Sequence, residues 1–276
     1  MTAPTVRVTG EGAPATSRLG LIDSWHQREL FWTLVERQLR LRRKRSVMGV
    51  AWPLISPLFL LALYGVVFTS VFKVPVADYP IYLFAGLLPW SFLVQAVHDS
   101  LQAISFEPDL IRRAPFPPHF LPLARVVVMI FPFLALLAGF VAYELAFTEV
   151  PVSVALLPWL VVPIGSLFLF VAAASLLLSL FDVFNRDLRY LLQNLLTVWF
   201  FLIPIVYHRG MVEGTLRIVT RLDPMRLIID QFRDVLYEGR VDDPGVHLLT
   251  LAGCLVAFVV ALAVFRAKAV DLAKDV

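Results

Sequence analysis

An all-α integral membrane fold follows from three features: an apolar excess, six apolar runs of bilayer length, and basic residues gathered on alternate connections. Of 276 residues, 59% are hydrophobic and 16% charged, and the mean hydropathy is +0.79. A water-soluble domain is nearer half apolar and a quarter charged. Such a chain needs lipid as part of its solvent. A span takes roughly 20 apolar residues. Runs of that order lie at about Val47–Phe72, Tyr82–Ala103, Leu121–Phe147, Val154–Phe181, Leu191–Tyr207 and Val246–Phe265.

Three regions are expected in chain order. Residues 1–22 are rich in Ala, Thr, Gly and Pro without periodicity, and are read as a disordered cytoplasmic tail. They lack the pattern of a signal peptide. Residues 23–45 are expected to form an amphipathic helix lying in the membrane interface, with Asp23 or Ser24 suited to cap its start. Phe31, Leu34, Val35 and Leu39 recur at helical spacing, and Trp25 and Trp32 share the segment. Arg37 and Arg40 open a basic run ending at Arg45. Tryptophans beside cations next to a span are the pattern of an interfacial helix. A solvated charged helix has the same residues. Residues 46–276 make the six-helix transmembrane domain, in which Pro53 and Pro57 enter the first span. Pro158 and Pro163 offer the long fourth span places to kink.

Orientation comes from Lys and Arg in the short connections. The basic run precedes span one, Arg112 and Arg113 follow span two, Arg186 and Arg189 follow span four, and Arg266 and Lys268 follow span six. The connection after span one holds only Lys73, and Thr148–Ser153 holds no cation. Both termini are therefore expected in the cytoplasm. The stretch from His208 to Val246 carries six Arg and seven acidic residues and falls on the outer side. Within it Met225, Ile229, Phe232 and Leu236 form a helical apolar stripe, Asp223-Pro224 is a good helix start and Gly239 a good stop. Short amphipathic helices are expected there, dipping into the interface or packing on span ends.

The composition excludes several chemistries. One cysteine, Cys254, cannot form an intramolecular disulfide or a metal cluster. The five histidines are scattered, and the sequence has no phosphate-binding loop. A formal charge of +3 on 276 residues does not point to nucleic acid. Asp99, Glu144 and Asp182 are expected near span ends within reach of water, and the His98-Asp99 pair is more naturally a helix-end polar cluster than a general base. Two groups of residues remain. Tyr64, Phe68 and Phe72 recur every four residues on one face of span one, and Trp199, Phe200 and Tyr207 occupy a similar region of span five. Their flat faces suit the C–H faces of sugars, and equally a lipid-facing belt. The second group is the cytoplasmic loop Ser105–Pro118, where a helix would present Glu107, Asp109, Arg112 and Arg113 before Pro115, Pro117 and Pro118 end it.

Several motifs in order resemble one family. They are Arg45-Ser-Val-Met-Gly49-Val-Ala-Trp52-Pro-Leu-Ile-Ser-Pro57, Gly86-Leu-Leu-Pro89-Trp90, and Asp109-Leu-Ile-Arg-Arg-Ala-Pro-Phe116-Pro117 with Leu121-Pro122-Leu123. Phe184-Asn-Arg186-Asp187-Leu-Arg189, Trp199-Phe-Phe-Leu-Ile-Pro204-Ile-Val-Tyr207 and Asp223-Pro224-Met225 complete the set. From about residue 25 the chain resembles the membrane subunit of ABC exporters that move lipid-linked polysaccharides (O-antigen, teichoic acid and galactan exporters).

The resemblance implies a permease that dimerises with itself and pairs with two copies of a separate ATPase. ATP and Mg would then bind on that partner, and this chain would hold no cofactor and catalyse no reaction. It implies ATPase coupling at about Phe106–Ala114, with Glu107, Asp109, Arg112 and Arg113. The interfacial helix would contact the ATPase too. A channel at the dimer interface would be lined by Tyr64, Phe68, Phe72, Trp199, Phe200 and Tyr207. An outer gate at about Met211–Tyr237 would include Asp223, Pro224, Met225, Ile229 and Phe232. The chain departs from the family at Phe116-Pro117-Pro118, where Phe-Pro-Arg is frequent, and at Asp223-Pro224-Met225, where Asn-Pro-Met is frequent. A drug or small-lipid exporter of related architecture, a membrane-embedded transferase and an ATP-independent channel are the competing readings.

Overall fold

The bundle is organised around one helix that is apolar and buried on every side over most of its length. In the computed structural model, which describes residues 24–45, 51–71, 76, 78–107, 117–147, 154–185, 187–207, 220 and 223–275, this is α3, Tyr79–Leu101. Every residue from Ile81 to Leu93 is buried. A helix without a polar face has to be surrounded. Asp78, just before its start, is left-handed at φ 45°.

Among the described residues the chain forms eight α-helices and no strand. They are α1 (Ser24–Arg45), α2 (Trp52–Val66), α3, α4 (Phe120–Phe147), α5 (Val161–Phe184), α6 (Leu188–Leu202), α7 (Pro224–Leu236) and α8 (Pro244–Asp275). A π-helical turn, Val67–Val71, extends α2, and a 3₁₀ helix, Val154–Leu160, leads into α5. That change of winding falls between Pro158 and Pro163, where the sequence predicts a kink.

Four stretches are long and apolar enough to cross a bilayer: Tyr79–Leu101, Phe120–Phe147, Val154–Phe184 and Pro244–Lys268. Two further apolar helices, α2 and α6, have 15 residues each. The sequence predicts a fifth span to Tyr207, but α6 stops at Leu202. Pro204 explains the stop, because proline drives the residue before it out of helical geometry. Ile203 is extended at φ −82°, ψ 137°.

Two apolar clusters hold the helices together. The larger joins α3, α4, α5, α6 and α7. The smaller joins α1 (Leu34, Val35) to the end of α3 and its following turn (Ala103, Ile104), the start of α4, and the ends of α5 and α8 (Leu180, Phe265). The predicted stripe of α1 is therefore its packed face, with Phe31 edge-on to Phe120. α7 packs instead on the starts of α3 and α8. α1 and α7 thus lie at opposite ends of the bundle, as the alternation of basic loops requires.

The expectation for two of the carboxylates is also overturned. Glu144 and Asp182 do not reach water: they are 1% and 0% exposed. For Asp182 the reason is a built enclosure, in which Arg189 forms an ion pair with both carboxylate oxygens and Ser105 donates a hydrogen bond.

Candidate functional site

Phe72, Asp109, Arg112, Arg113, the side chain of Trp25, the tail and 211–219 and 221–222 of the gate region lie outside the described residues. Tyr64, Phe68, Trp199 and Phe200 come together. Tyr64 stacks on Phe200 with centroids 5.6 Å apart and planes at 22°, and meets Phe68 edge-on. Phe200 also contacts Trp90, which meets Trp199 edge-on at 5.5 Å. Phe68 continues the row to Tyr79. Tyr64, Phe68, Trp199 and Tyr207 are partly exposed and Phe200 is buried. The result is one aromatic row across α2, α3 and α6. Trp90 and Tyr79 belong to it, and no periodicity singled them out, because they sit on a helix buried all round.

Tyr207 does not share a helix face with Phe200, as the sequence predicts, because it follows the break. Its hydroxyl donates to the carbonyls of Phe201 and Leu202, two of the orphan acceptors at the end of α6. Beyond them every carbonyl from Pro204 to Tyr207 accepts from a side chain. Arg233 donates to Pro204 (2.7 Å) and Ile205 (2.8 Å), Tyr79 to Val206 (2.7 Å) and Tyr82 to Tyr207 (3.0 Å). Irregular backbone within a membrane bundle survives only when its polar groups are satisfied this way.

Arg233 is 4% exposed, with its guanidinium 3.8 Å from the centre of the Tyr82 ring. Gly86 makes room for it: a Cβ there would lie 2.8 Å from Nη2. A buried cation is costly unless its donors are met, and here the Pro204 and Ile205 carbonyls meet two of them. Sequence reasoning missed it, because Arg226 and Arg233 look alike along α7.

The predicted gate residues build the rest of α7. Asp223 caps the helix by accepting from the backbone of Met225 and Arg226, and also accepts from the Trp199 indole. Pro224 occupies the first turn, and Met225, Ile229 and Phe232 are fully buried. Gly239 ends the region at φ 63°. Asp234 ties α7 to α8: Trp159 donates to Nδ1 of His247, so the imidazole proton lies on Nε2 and is given to Asp234 at 2.9 Å.

At the opposite end Glu107 is 12% exposed and accepts from Arg37 and Gln38 of α1, with Arg125 of α4 3.8 Å away. Arg42 pairs with Asp99 at 2.7 Å, and Arg125 donates to the Asp99 carbonyl. This network fastens α1 to α3, α4 and the start of the Ser105–Pro118 segment. Among the described residues Arg40 pairs only with Glu36 on its own helix, and Trp32 is half exposed, so α1 keeps one face open.

Residues 29–237 match the model of the ABC-2 type transporter membrane family. The O-antigen export system permease protein RfbA of Myxococcus xanthus is 28% identical over 254 residues, covering 91% of this chain and 97% of that protein. An O-antigen export system permease protein RfbA of Klebsiella pneumoniae is 24% identical over 242 residues, covering 86% and 91%. The motifs, the helical bundle and a family match from α1 to the end of α7 agree: the chain is a member of the ABC-2 type transporter membrane family.

Proposed function

We propose that this chain is the permease subunit of an ABC exporter that moves lipid-linked polysaccharide across the cytoplasmic membrane. Two copies enclose the path, and two copies of a separate ATPase bind ATP and Mg and drive it. The α1 end faces the cytoplasm, with both termini there, and α7 forms part of the outer gate. α2 with its π-helical turn, and α6 with the extended segment after it, complete six crossings.

The aromatic row across α2, α3 and α6 carries this reading. Its partly exposed members lie beside outer faces of α2 (Phe59, Leu63, Val66) and α6 (Leu195, Val198, Phe201) that the protomer leaves uncovered. A second copy packed there would set two such rows around a shared passage. Flat apolar faces with hydroxyl or indole edges bind sugar rings without demanding one sequence of them. The names of the relatives support the same cargo. The α1–Glu107 network supports the coupling assignment, since it makes α1 and the segment after α3 one body for an ATPase to push.

Tyr64→Ala combined with Phe68→Ala tests the wall. With the ATPase co-reconstituted, export is expected to slow about tenfold, the equivalent of ~1.4 kcal/mol in barrier, while assembly survives. Unchanged export removes the aromatic row from the path.

A further inference from the structure

α6 is held in an unusual way for a helix of the bundle. Only a narrow stripe of it is buried, Leu192, Leu196 and Phe200, one residue per turn. Tyr190, Leu191, Leu195, Val198 and Phe201 are exposed. A stripe of leucines resists sliding or tilting weakly, because apolar contact is non-directional. The directional bonds are at the two ends.

At the start, Arg189 grips Asp182 with Nε–Oδ1 at 2.6 Å and Nη2–Oδ2 at 2.8 Å. Paired bonds of this kind fix orientation as well as distance. Asp182 lies on α5, so the pair braces the corner through which α5 turns into α6. The segment after α3 leans on the same corner. Ser105 donates to Asp182 Oδ2 at 2.7 Å, and Arg189 lies 5.6 Å from the Phe106 ring centre. Two residues along, Glu107 is bound to α1. At the far end, Trp199 donates to the residue that caps α7.

We infer that Ser105, Asp182 and Arg189 form the joint through which movement of the segment after α3 enters α6, and that α6 carries it as a rod to Trp199, Asp223 and α7. Arg189 is thus a positioning residue for transport that touches no substrate. The inference rests on the exporter reading above, which makes that segment the ATPase contact. Joint, rod and second joint form a contiguous chain of packed and hydrogen-bonded elements, the kind of path along which two sites are coupled.

The test uses the full complex with its ATPase in proteoliposomes. Arg240→Cys, on the exposed turn after α7, reports through its rate of labelling by a water-soluble maleimide, with and without ATP. In Arg189→Gln the ATP-dependent change in labelling is expected to fall at least about fivefold, the low end for coupled sites. ATP hydrolysis and co-purification with the ATPase persist. Arg189→Lys, which keeps the charge and one bond, restores part of the response. Ser105→Ala leaves the ion pair intact, folds whatever the fate of Arg189→Gln, and lowers the response as well. A full response in Ser105→Ala and in any folded Arg189→Gln complex overturns the joint, as does a loss of response only in step with lost hydrolysis. A parent Arg240→Cys complex with no ATP response overturns the joint together with the exporter reading.

Discussion

Arg233 shows how a single side chain sustains a break in a membrane helix. Its Nη1 and Nη2 donate to the Pro204 and Ile205 carbonyls, which no helix turn can reach. Arg233→Met is expected to destabilise the protein by about 3 kcal/mol, since each buried acceptor left empty costs ~1–3 kcal/mol. Gly86→Ala is the milder probe. The Arg233 tip is pinned from three sides and cannot swing clear of the new methyl, so a loss of about 2 kcal/mol is expected. Unfolding in detergent measures both. Along the sequence Arg233 is one of six arginines between His208 and Val246. Only the fold reveals that it is buried, because its partners lie 28 and 29 residues earlier.

His119, at the threshold of α4, gives the protein a pH dependence. Burial, with the charge of Arg266 adding to it, pushes its imidazole down from 6.5 to about 4. The unfolded chain takes up this proton near 6.5 and the folded one only near 4. The neutral ring therefore contributes its full stability above 6.5 and loses it as the pH falls towards 4. His119→Phe should remove about 3 kcal/mol from the acid-side loss, visible as a smaller fall in melting temperature between pH 7 and 4.5.

At the scale of elements, the sequence is legible where one rule acts locally. The apolar stripe of α1, the Asp223-Pro224 start of α7, the left-handed Gly239 after it and the change of winding between Pro158 and Pro163 depend on neighbouring residues alone, and all appear in the structure. α6 shows the opposite case. Pro204 already announces its end, but an apolar run reads straight through to Tyr207, and hydropathy cannot distinguish a helix from an extended segment with bound carbonyls. The ties between elements were not legible at all. Arg37 meets Glu107 and Arg42 meets Asp99 across 70 and 57 residues, distances over which sequence periodicity carries no information.

The cap of α7 yields an element-scale prediction. Asp223→Asn preserves the acceptor for Met225 and Arg226, and matches the residue frequent in the family, so thermal stability should stay within about 0.5 kcal/mol. Asp223→Ala removes the cap and the Trp199 bond together, for an expected loss of about 2 kcal/mol.

At the scale of the molecule, the described residues form a body with a polar network at each end and uncovered apolar faces on its flanks. One network ties α1 to the segment after α3, and the other ties α7 to α3, α8 and the end of α6. On the proposed function, these apolar flanks face lipid or a second copy, and the two networks sit where a force enters and a gate answers. On the same proposal, the aromatic row across α2, α3 and α6 is the surface that meets the polymer. None of this requires the chain to make or break a covalent bond.

The most direct measurement follows lipid-linked polysaccharide in vesicles whose cytoplasmic face points outwards, made with this chain, with its ATPase, or with both. Cargo should reach the lumen only when both proteins and ATP are present. Equal accumulation with this chain alone, or ATP hydrolysis by the purified chain, would contradict a permease driven from a separate subunit.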